Sequence, residues 1–169
     1  MPLKKEVLAK YLNPVFVETG TAYGNGVQTA LECGFKSIYS TEPNELLYKL
    51  CLNRFEGVEN IHLYNLNSED FLQEFLTMNN DGDYVTYYLD SHRNGRKDPT
   101  FQKPCPILEE LNIIFNMNAD DYFTILIDDV RLFKNKKWGI SLEQILEYAK
   151  DMNITYEDGY KEKDILVIS

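Results

Sequence analysis

The sequence predicts an α/β fold built on a mainly parallel sheet. Three observations predict it. Short apolar runs of strand type alternate with segments of helical spacing, a glycine-rich turn follows the first run, and the last two runs are joined by a short polar turn. Alternation of this kind is typical of βαβ units, in which consecutive strands run parallel. We therefore expect helices between parallel strands and an antiparallel pair at the end.

Five apolar runs predict the parallel strands, and four segments of helical spacing connect them. We expect strands at 15–18, 37–41, 60–64, 84–90 and 123–128, and helices at 27–33, 45–55, 68–78 and 107–117. In the second helix, the spacing of Leu46, Leu50 and Phe55 places them on one side. A fifth helix at 141–152 precedes runs at 154–159 and 164–168, which predict an antiparallel hairpin because a short turn cannot join parallel strands.

Length and composition predict one soluble domain. The 169 residues fit a single domain at 1–169, with a short N-terminal extension at 1–13, and 44% of them are hydrophobic. No apolar run approaches the ~20 residues of a membrane-spanning helix. The 17 Lys and Arg residues against 27 Asp and Glu give a net charge of -10, which repels phosphate backbones. We expect neither a membrane span nor a nucleic-acid partner.

Cysteine usage and the N-terminus predict a reducing compartment. Cys33, Cys51 and Cys105 are odd in number and widely spaced, which favours packing as small hydrophobic residues over disulfides or zinc binding. The N-terminal residues lack the apolar core of a secretory signal. We therefore expect a cytoplasmic protein, in its own cell or in a host cell.

The glycine-rich turn after the first strand predicts a ligand-binding loop. Gly20, Gly24 and Gly26 lack a Cβ atom, so the backbone can turn sharply and a ligand can lie against it. The turn lacks the Gly-Lys-Ser/Thr ending of a phosphate loop, and its spacing differs from the Gly-x-Gly-x-x-Gly dinucleotide fingerprint. Glu18-x-Gly20-x-Ala22-x-Gly24 resembles motif I of class I S-adenosylmethionine-dependent methyltransferases, with Ala22 in place of the middle glycine. An ordinary tight strand-to-helix turn is the alternative.

This resemblance implies a Rossmann-like methyltransferase fold, with five parallel strands, a C-terminal antiparallel hairpin and helices on both faces. It implies S-adenosylmethionine as the cofactor. Glu42 ends the second strand, where a carboxylate in that family accepts the ribose hydroxyls; a helix N-terminal charge before Pro43 is the alternative. Asn67 and Ser68 follow the third strand, where related enzymes contact adenine. The cofactor-binding residues we expect are Glu18, Gly20, Thr21, Ala22, Tyr23, Gly24, Gly26, Glu42, Asn67, Ser68 and Asp90.

Three carboxylates end the fourth and fifth strands, where the methyl group would be delivered. Asp90 ends the fourth, and Asp128 and Asp129 end the fifth. Negative charges gathered at one apolar rim repel one another unless something compensates them, and Mg²⁺ or Mn²⁺ is suited to carboxylate oxygens. The arrangement resembles metal-dependent sugar O-methyltransferases, which implies a metal triad of Asp90, Asp128 and Asp129. As the alternative, Asp128 or Asp129 caps the following segment and Asp90 pairs with Arg93 or Arg131.

His92 is the predicted catalytic base. It follows Asp90 closely, and an imidazole of ordinary pKa takes a proton near neutral pH. Asp90 and a hydroxide on the metal are its rivals, and a purely structural histidine is the alternative. Aromatic residues are available for stacking against a sugar or ring, although packing in the core explains them equally well. They are Tyr23, Tyr122, Phe133 and Trp138.

These features together imply metal-assisted O-methylation of a sugar or glycan end that carries vicinal hydroxyls. A catechol-type O-methyltransferase, which commonly has Asn as the third metal ligand, is the nearest alternative. A catalytically silent S-adenosylmethionine-binding module and a nucleotide-binding dehydrogenase are alternatives from other classes. A homodimer is left open.

Overall fold

A sheet forms the centre of the protein. The computed structural model describes residues 3–78, 83–92, 104–117, 123–133 and 138–169, and in these ranges seven strands are hydrogen-bonded into one sheet. The parallel strands are β1 (Val15–Thr19), β2 (Ser37–Thr41), β3 (Ile61–Tyr64), β4 (Val85–Leu89) and β5 (Phe123–Ile127). The strand β7 (Ile165–Ile168) runs antiparallel to β5 and pairs with β6 (Ile154–Glu157).

The strand order is β3-β2-β1-β4-β5-β7-β6, which confirms the predicted fold class and its closing hairpin. The order reverses between β1 and β4, since β2 and β3 lie on one side of β1 and β4 and β5 lie on the other. Ligands of open α/β sheets bind at such a reversal, beyond the carboxyl ends of the strands. The fold therefore points to the region where β1 and β4 end.

Six helices occur in the described ranges, and the predicted ones lie close to their expected positions. They are α1 (Lys5–Leu8), α2 (Asn25–Cys33), α3 (Glu45–Arg54), α4 (Ser68–Met78), α5 (Ile107–Met117) and α6 (Leu142–Tyr148). The helix α1 and the 3₁₀ turn Ala9–Tyr11 lie in the segment that the sequence predicted only as an N-terminal extension. The helix α6 is shorter than predicted and ends before residue 149.

Helices cover both faces of the sheet, as predicted. Successive strand residues alternate between the two cores, so that Phe16 belongs to one and Val17 to the other. The helices α4, α5 and α6 pack on the Val17 side, for example through Phe71 and Leu111. The helices α1 and α2 pack on the Phe16 side. No helix within the described ranges has the length and apolar character needed to cross a bilayer.

The predicted common side of Leu46, Leu50 and Phe55 is wrong. Phe55 is 7% exposed, whereas Leu46 and Leu50 are 74% and 55% exposed. The reason is that α3 ends at Arg54, and Phe55 leaves the helix with φ -109° and ψ 20°. Helical spacing therefore does not fix where its ring lies.

Candidate functional site

Left-handed backbone at alternate positions shapes the loop after β1. The φ angles of Gly20, Ala22 and Gly24 are 93°, 46° and 78°. Ala22 stands where motif I has its middle glycine, and it adopts the backbone conformation that glycine favours, at a strain of about 1 kcal/mol. The N–H groups of Gly20 and Thr21 both donate to the Thr41 carbonyl at 3.0 Å, which anchors the loop to β2. The loop therefore has left-handed backbone at all three positions, although one of the three residues is not glycine.

The glycines of this loop are needed for close packing within the protein. A Cβ atom on Gly20 would lie 2.7 Å from the Asp90 carbonyl oxygen, and one on Gly24 would lie 2.6 Å from the Phe55 ring. A Cβ atom on Gly26 would overlap the Glu18 carboxyl group. The contact at Gly20 is the one that matters for chemistry, because it brings the loop directly against the end of β4.

Glu18 is buried beneath the first turn of α2. Its side chain is enclosed, with 2% of the residue exposed, and its Oε2 accepts a 2.7 Å hydrogen bond from the Ser40 hydroxyl. The Ser40 oxygen also lies 2.5 Å from the Thr21 hydroxyl, so the three side chains tie β1, β2 and the loop together. Burial raises the pKa of Glu18 to about 8; the Ser40 hydrogen bond opposes this rise, and the nearby charge of Glu42 adds to it.

Glu42 bridges the loop and the start of α3. Its Oε2 accepts the Ala22 N–H at 2.8 Å, and its Oε1 accepts the Asn44 N–H at 2.9 Å. Tyr23 lies at the outer side of the loop, where it is 55% exposed and its carbonyl accepts a hydrogen bond from Arg54.

Asn67 and Ser68 lie at the start of α4. The Asn67 Oδ1 accepts the Asp70 N–H at 2.8 Å, and its Nδ2 donates to the Asp70 carboxylate at 2.8 Å, so this side chain caps the helix. Ser68 is 2% exposed, and its hydroxyl lies beside the carboxyl group of Glu110 on α5. Sequence reasoning missed Glu110, although a single acid on an apolar helix face between Ile107 and Leu111 was a visible signal.

His92 lies between two of the predicted acids. Its Nε2 is 2.6 Å from the Asp129 Oδ2, and its Nδ1 is 3.4 Å from the Asp90 Oδ1. Burial acts to lower the pKa of His92, but the hydrogen bond with Asp129 and the charge of Asp90 outweigh it and raise the pKa above 6.5. For Asp90, burial raises the pKa well above 3.8, against the charge of His92.

Arg131 and Asp164 complete this cluster, and neither was predicted as part of the site. Arg131 forms ion pairs with Asp129 and with Asp164, which is 1% exposed and directly precedes β7. Burial acts to raise the pKa of Asp129, but His92 and Arg131 outweigh it and lower the pKa. Arg131 thus pairs with these two acids, in place of the Asp90 pairing that the sequence offered as an alternative.

Asp128 has its own partners. Tyr88 donates its buried hydroxyl to the Asp128 Oδ2 at 2.6 Å, and the Asp129 N–H donates to the Asp128 Oδ1 at 2.7 Å. Burial raises the pKa of Asp128, and the Tyr88 hydrogen bond opposes the rise. Asp129 itself has left-handed backbone with φ 59°, and its Oδ2 lies 2.6 Å from the His92 Nε2.

Two groups of ligand-type side chains occur at this edge of the sheet. In the described part of the chain, ligand atoms of Asp90, His92 and Asp129 lie within 4.8 Å of one another, and so do those of Asp128, Asp129 and Asp164. Asp129 belongs to both groups, while Asp90 and Asp128 belong to one each. The metal triad of Asp90, Asp128 and Asp129 stays a prediction.

Two of the aromatic residues pack at His92. The ring of the half-buried Trp138 lies 4.6 Å from the imidazole, centroid to centroid, and Phe133 meets Trp138 edge-on at 5.4 Å. Tyr23 lies instead beside α3, and Tyr122 falls outside the described residues. Trp138 therefore forms an aromatic wall beside the imidazole.

Solved structures of methyltransferases share this fold. An O-methyltransferase from Bacillus cereus in complex with SAH (S-adenosylhomocysteine) has a TM-score of 0.66 at 10% identity, over 97% of this chain and 76% of that chain. A SAH-bound methyltransferase from Podospora anserina has a TM-score of 0.63 at 9% identity, over 92% of this chain and 71% of that chain. An rRNA methylase from Streptococcus thermophilus has a TM-score of 0.55 at 16% identity, over 97% of this chain and 90% of that chain.

No protein-family model matches the sequence, and no curated protein matches it either. The likeness is therefore one of fold. The chain has the Rossmann-like fold of class I S-adenosylmethionine-dependent methyltransferases.

The buried proton of Glu18 should appear in the pH dependence of stability. The folded protein holds this proton up to about pH 8, while a Glu with the ordinary pKa of 4.5 loses it in the unfolded chain. Between these values the folded state binds more protons, so the free energy of unfolding falls as pH rises, by at most about 1.4 kcal/mol per pH unit for one group. Glu18→Gln should flatten the profile measured by urea unfolding from pH 5 to 8.

The exposed Glu32→Gln on the same face of the sheet is the matched control and should keep the wild-type slope. Burial also raises the pKa of Glu110, to about 7, and the pKa of Asp90 and Asp128, so a residual slope remains in both variants. A Glu18→Gln profile as steep as that of wild type would contradict the prediction that Glu18 keeps its proton in the folded protein.

Proposed function

We propose that this protein is an S-adenosylmethionine-dependent O-methyltransferase. The observation that carries the proposal is the contact between the glycine loop and the reactive cluster. Gly20 lies so close to the Asp90 backbone that no side chain fits between them, and the Asp90 side chain faces His92. A cofactor held by the loop would therefore have its transferable group next to an acid and an imidazole.

The loop fits an adenosyl cofactor by its own geometry. Left-handed residues at 20, 22 and 24 make the concave backbone that such a ligand needs, and Glu42 offers carboxylate oxygens beside it. The residues that we assign to the cofactor are Glu18, Gly20, Thr21, Ala22, Tyr23, Gly24, Gly26, Glu42, Asn67, Ser68 and Asp90. When bound, it supplies an electrophilic methyl group on a sulfonium centre.

His92 is suited to take the proton of an acceptor hydroxyl. Asp129 accepts from the Nε2 side of the ring, which leaves Nδ1, on the side of Asp90, to receive the proton. His92 and Arg131 together lower the pKa of Asp129 and keep it ionised, so the imidazolium that forms is stabilised. Positioned base catalysis of this kind contributes about 10²- to 10⁴-fold to a rate.

We further propose that a divalent ion assists the reaction. Carboxylate oxygens suit Mg²⁺ or Mn²⁺, and we assign the ion to Asp90, Asp128 and Asp129. In support, Asp129 shares one group of neighbouring ligand atoms with Asp90 and the other group with Asp128. The ion would supply Lewis-acid polarisation of a hydroxyl. Arg131 and His92 already compensate the negative charge of Asp129, and the ion would share this carboxylate with them.

The acceptor we propose is a sugar or glycan end with vicinal hydroxyls. Trp138 presents an aromatic face beside His92, and the surrounding acids are acceptors for hydroxyl groups. A catechol-type acceptor would use the same features. The similar structures include an rRNA methylase, but the net charge of -10 favours a small acceptor over a phosphate backbone.

Cofactor binding is the first test. Titration calorimetry should show binding of SAH in preference to NADH, which a dehydrogenase would prefer. Glu42→Gln should weaken SAH binding about 10-fold, since charge-assisted hydrogen bonds to a ligand become neutral ones. Glu45→Gln, at the exposed start of α3, should leave the affinity unchanged. Preference for NADH would refute the proposal.

His92 is tested by turnover with a panel of sugars and catechols, followed by mass spectrometry of the methylated product. His92→Asn should reduce the rate about 10²- to 10⁴-fold while SAH affinity stays at the wild-type value. His62→Asn, on the exposed face of β3, is the control and should retain full activity. SAH binding without turnover in wild type, for every acceptor, would favour the silent module.

The metal is tested separately. Turnover should fall when a chelator is added and return with Mg²⁺ or Mn²⁺. Asp128→Asn should abolish this metal-dependent activity and spare SAH affinity, because an amide oxygen is a weaker ligand than a carboxylate. Full activity of Asp128→Asn in the presence of chelator would refute the role of the ion and leave the base proposal standing.

A further inference from the structure

Glu110 is a buried acid that the proposed reaction does not use. It lies on the buried side of α5 in an apolar setting, with 1% of the residue exposed. Within the described ranges its Oε1 has no hydrogen-bond partner. A carboxyl oxygen without a partner destabilises the fold, and functional sites are where folded proteins retain such groups.

A second unpartnered group lies at the same place. The Thr19 hydroxyl, at the end of β1, is fully buried and, like the Glu110 oxygen, forms no hydrogen bond to any described residue. The hydroxyls of Thr19 and Ser68 both lie beside the Glu110 carboxyl group and oppose the rise in its pKa that burial causes. Three polar groups from β1, α4 and α5 thus converge there.

Glu110 also borders the reactive cluster. It lines a cavity of about 10 Å³ together with Ser91, His92 and Asp128. A cavity of this size has room for about one water molecule. Glu110 therefore lies between Ser68, which we assign to the cofactor, and the residues that we assign to the acceptor.

The chemistry of Glu110 limits what it can bind. Above its pKa of about 7, Glu110 is a carboxylate, which accepts hydrogen bonds and repels phosphates and carboxylates, so the missing partner there is a donor. The cofactor proposed above carries two nitrogen donors, which are the purine amine and the ammonium of its amino-acid part. A lone water molecule is the competing occupant.

We propose that Glu110, with Thr19 and Ser68, forms the subsite that receives an amino group of the bound cofactor. This inference rests on the proposed function, because it needs an adenosyl cofactor in the loop. The position of Ser68, which we assign to the adenine ring, favours the purine amine over the ammonium. Recognition by Glu110 would then discriminate adenine from purines that carry an oxygen at the same position.

Calorimetry with three ligands tests the proposal. They are SAH, S-inosylhomocysteine, in which a carbonyl replaces the purine amine, and the SAH analogue without its α-amino group. Wild type should bind SAH about 10- to 100-fold more tightly than the inosyl analogue, as expected when a hydrogen bond to a buried acid is lost. Glu110→Gln should remove most of this preference, because its amide can donate to the carbonyl. Glu109→Gln, which changes the acid next to Glu110 on α5, should keep the preference for SAH.

The outcomes separate the two nitrogen sources and the two proposals. If Glu110→Gln instead loses the preference over the analogue without the α-amino group, the subsite receives the ammonium, and the proposal holds for that source. If wild type binds SAH but discriminates against neither analogue, or if Glu110→Gln discriminates as wild type does, a water molecule occupies the site and the subsite is refuted. If wild type binds no SAH, the proposed function fails with it. If Glu110→Gln does not fold, the wild-type comparison still tests the proposal, because equal affinity for SAH and both analogues refutes the subsite.

Discussion

The direct contact between the loop after β1 and the end of β4 is the constraint on which the site depends. Gly20 leaves no space for a side chain against the Asp90 carbonyl, and the same loop is anchored to β2 through the Thr41 carbonyl. Three neighbouring strands are thus fixed to one short segment at the point where the strand order reverses. Within the described ranges, Asp90 lies against that segment, and Asp128 and Asp129 follow β5, the neighbour of β4.

Compensation of buried charge is the second constraint, and the chain achieves much of it with its own groups. Arg131 and His92 form ion pairs with Asp129. The hydroxyls of Tyr88 and Ser40 donate hydrogen bonds to Asp128 and Glu18, respectively. Where no such partner suffices, burial raises the pKa and the acid keeps its proton, as at Glu18. The acids at the carboxyl edge are therefore tolerated in this structure through ion pairs, hydrogen bonds and retained protons. A divalent ion would add to an arrangement that is already largely compensated.

The parallel strands, the closing antiparallel hairpin and the edge of the sheet that carries Asp90 and Asp128 could be predicted from the sequence. Apolar runs mark the strands, and the rule for parallel sheets places Asp90 and Asp128 at one edge, where the structure has them. Side-chain pairing could not be predicted, since it depends on residues distant in sequence. Asp164 reaches Arg131 only because β7 inserts beside β5, and Glu110 reaches Ser68 only because α5 packs on α4. The spacing of α3 likewise could not show that Phe55 leaves the helix.

The ion pair between Arg131 and Asp164 has a consequence for the order in which the protein is assembled. Arg131 follows β5, whereas Asp164 comes after α6 and β6 and precedes β7. A nascent chain that has left the ribosome only as far as β6 contains all five parallel strands and the glycine loop, but Arg131 lacks its second acid. Translation therefore supplies Asp164 after every other residue of this cluster, and the ion pairs of Arg131 are complete only once the segment before β7 has been made.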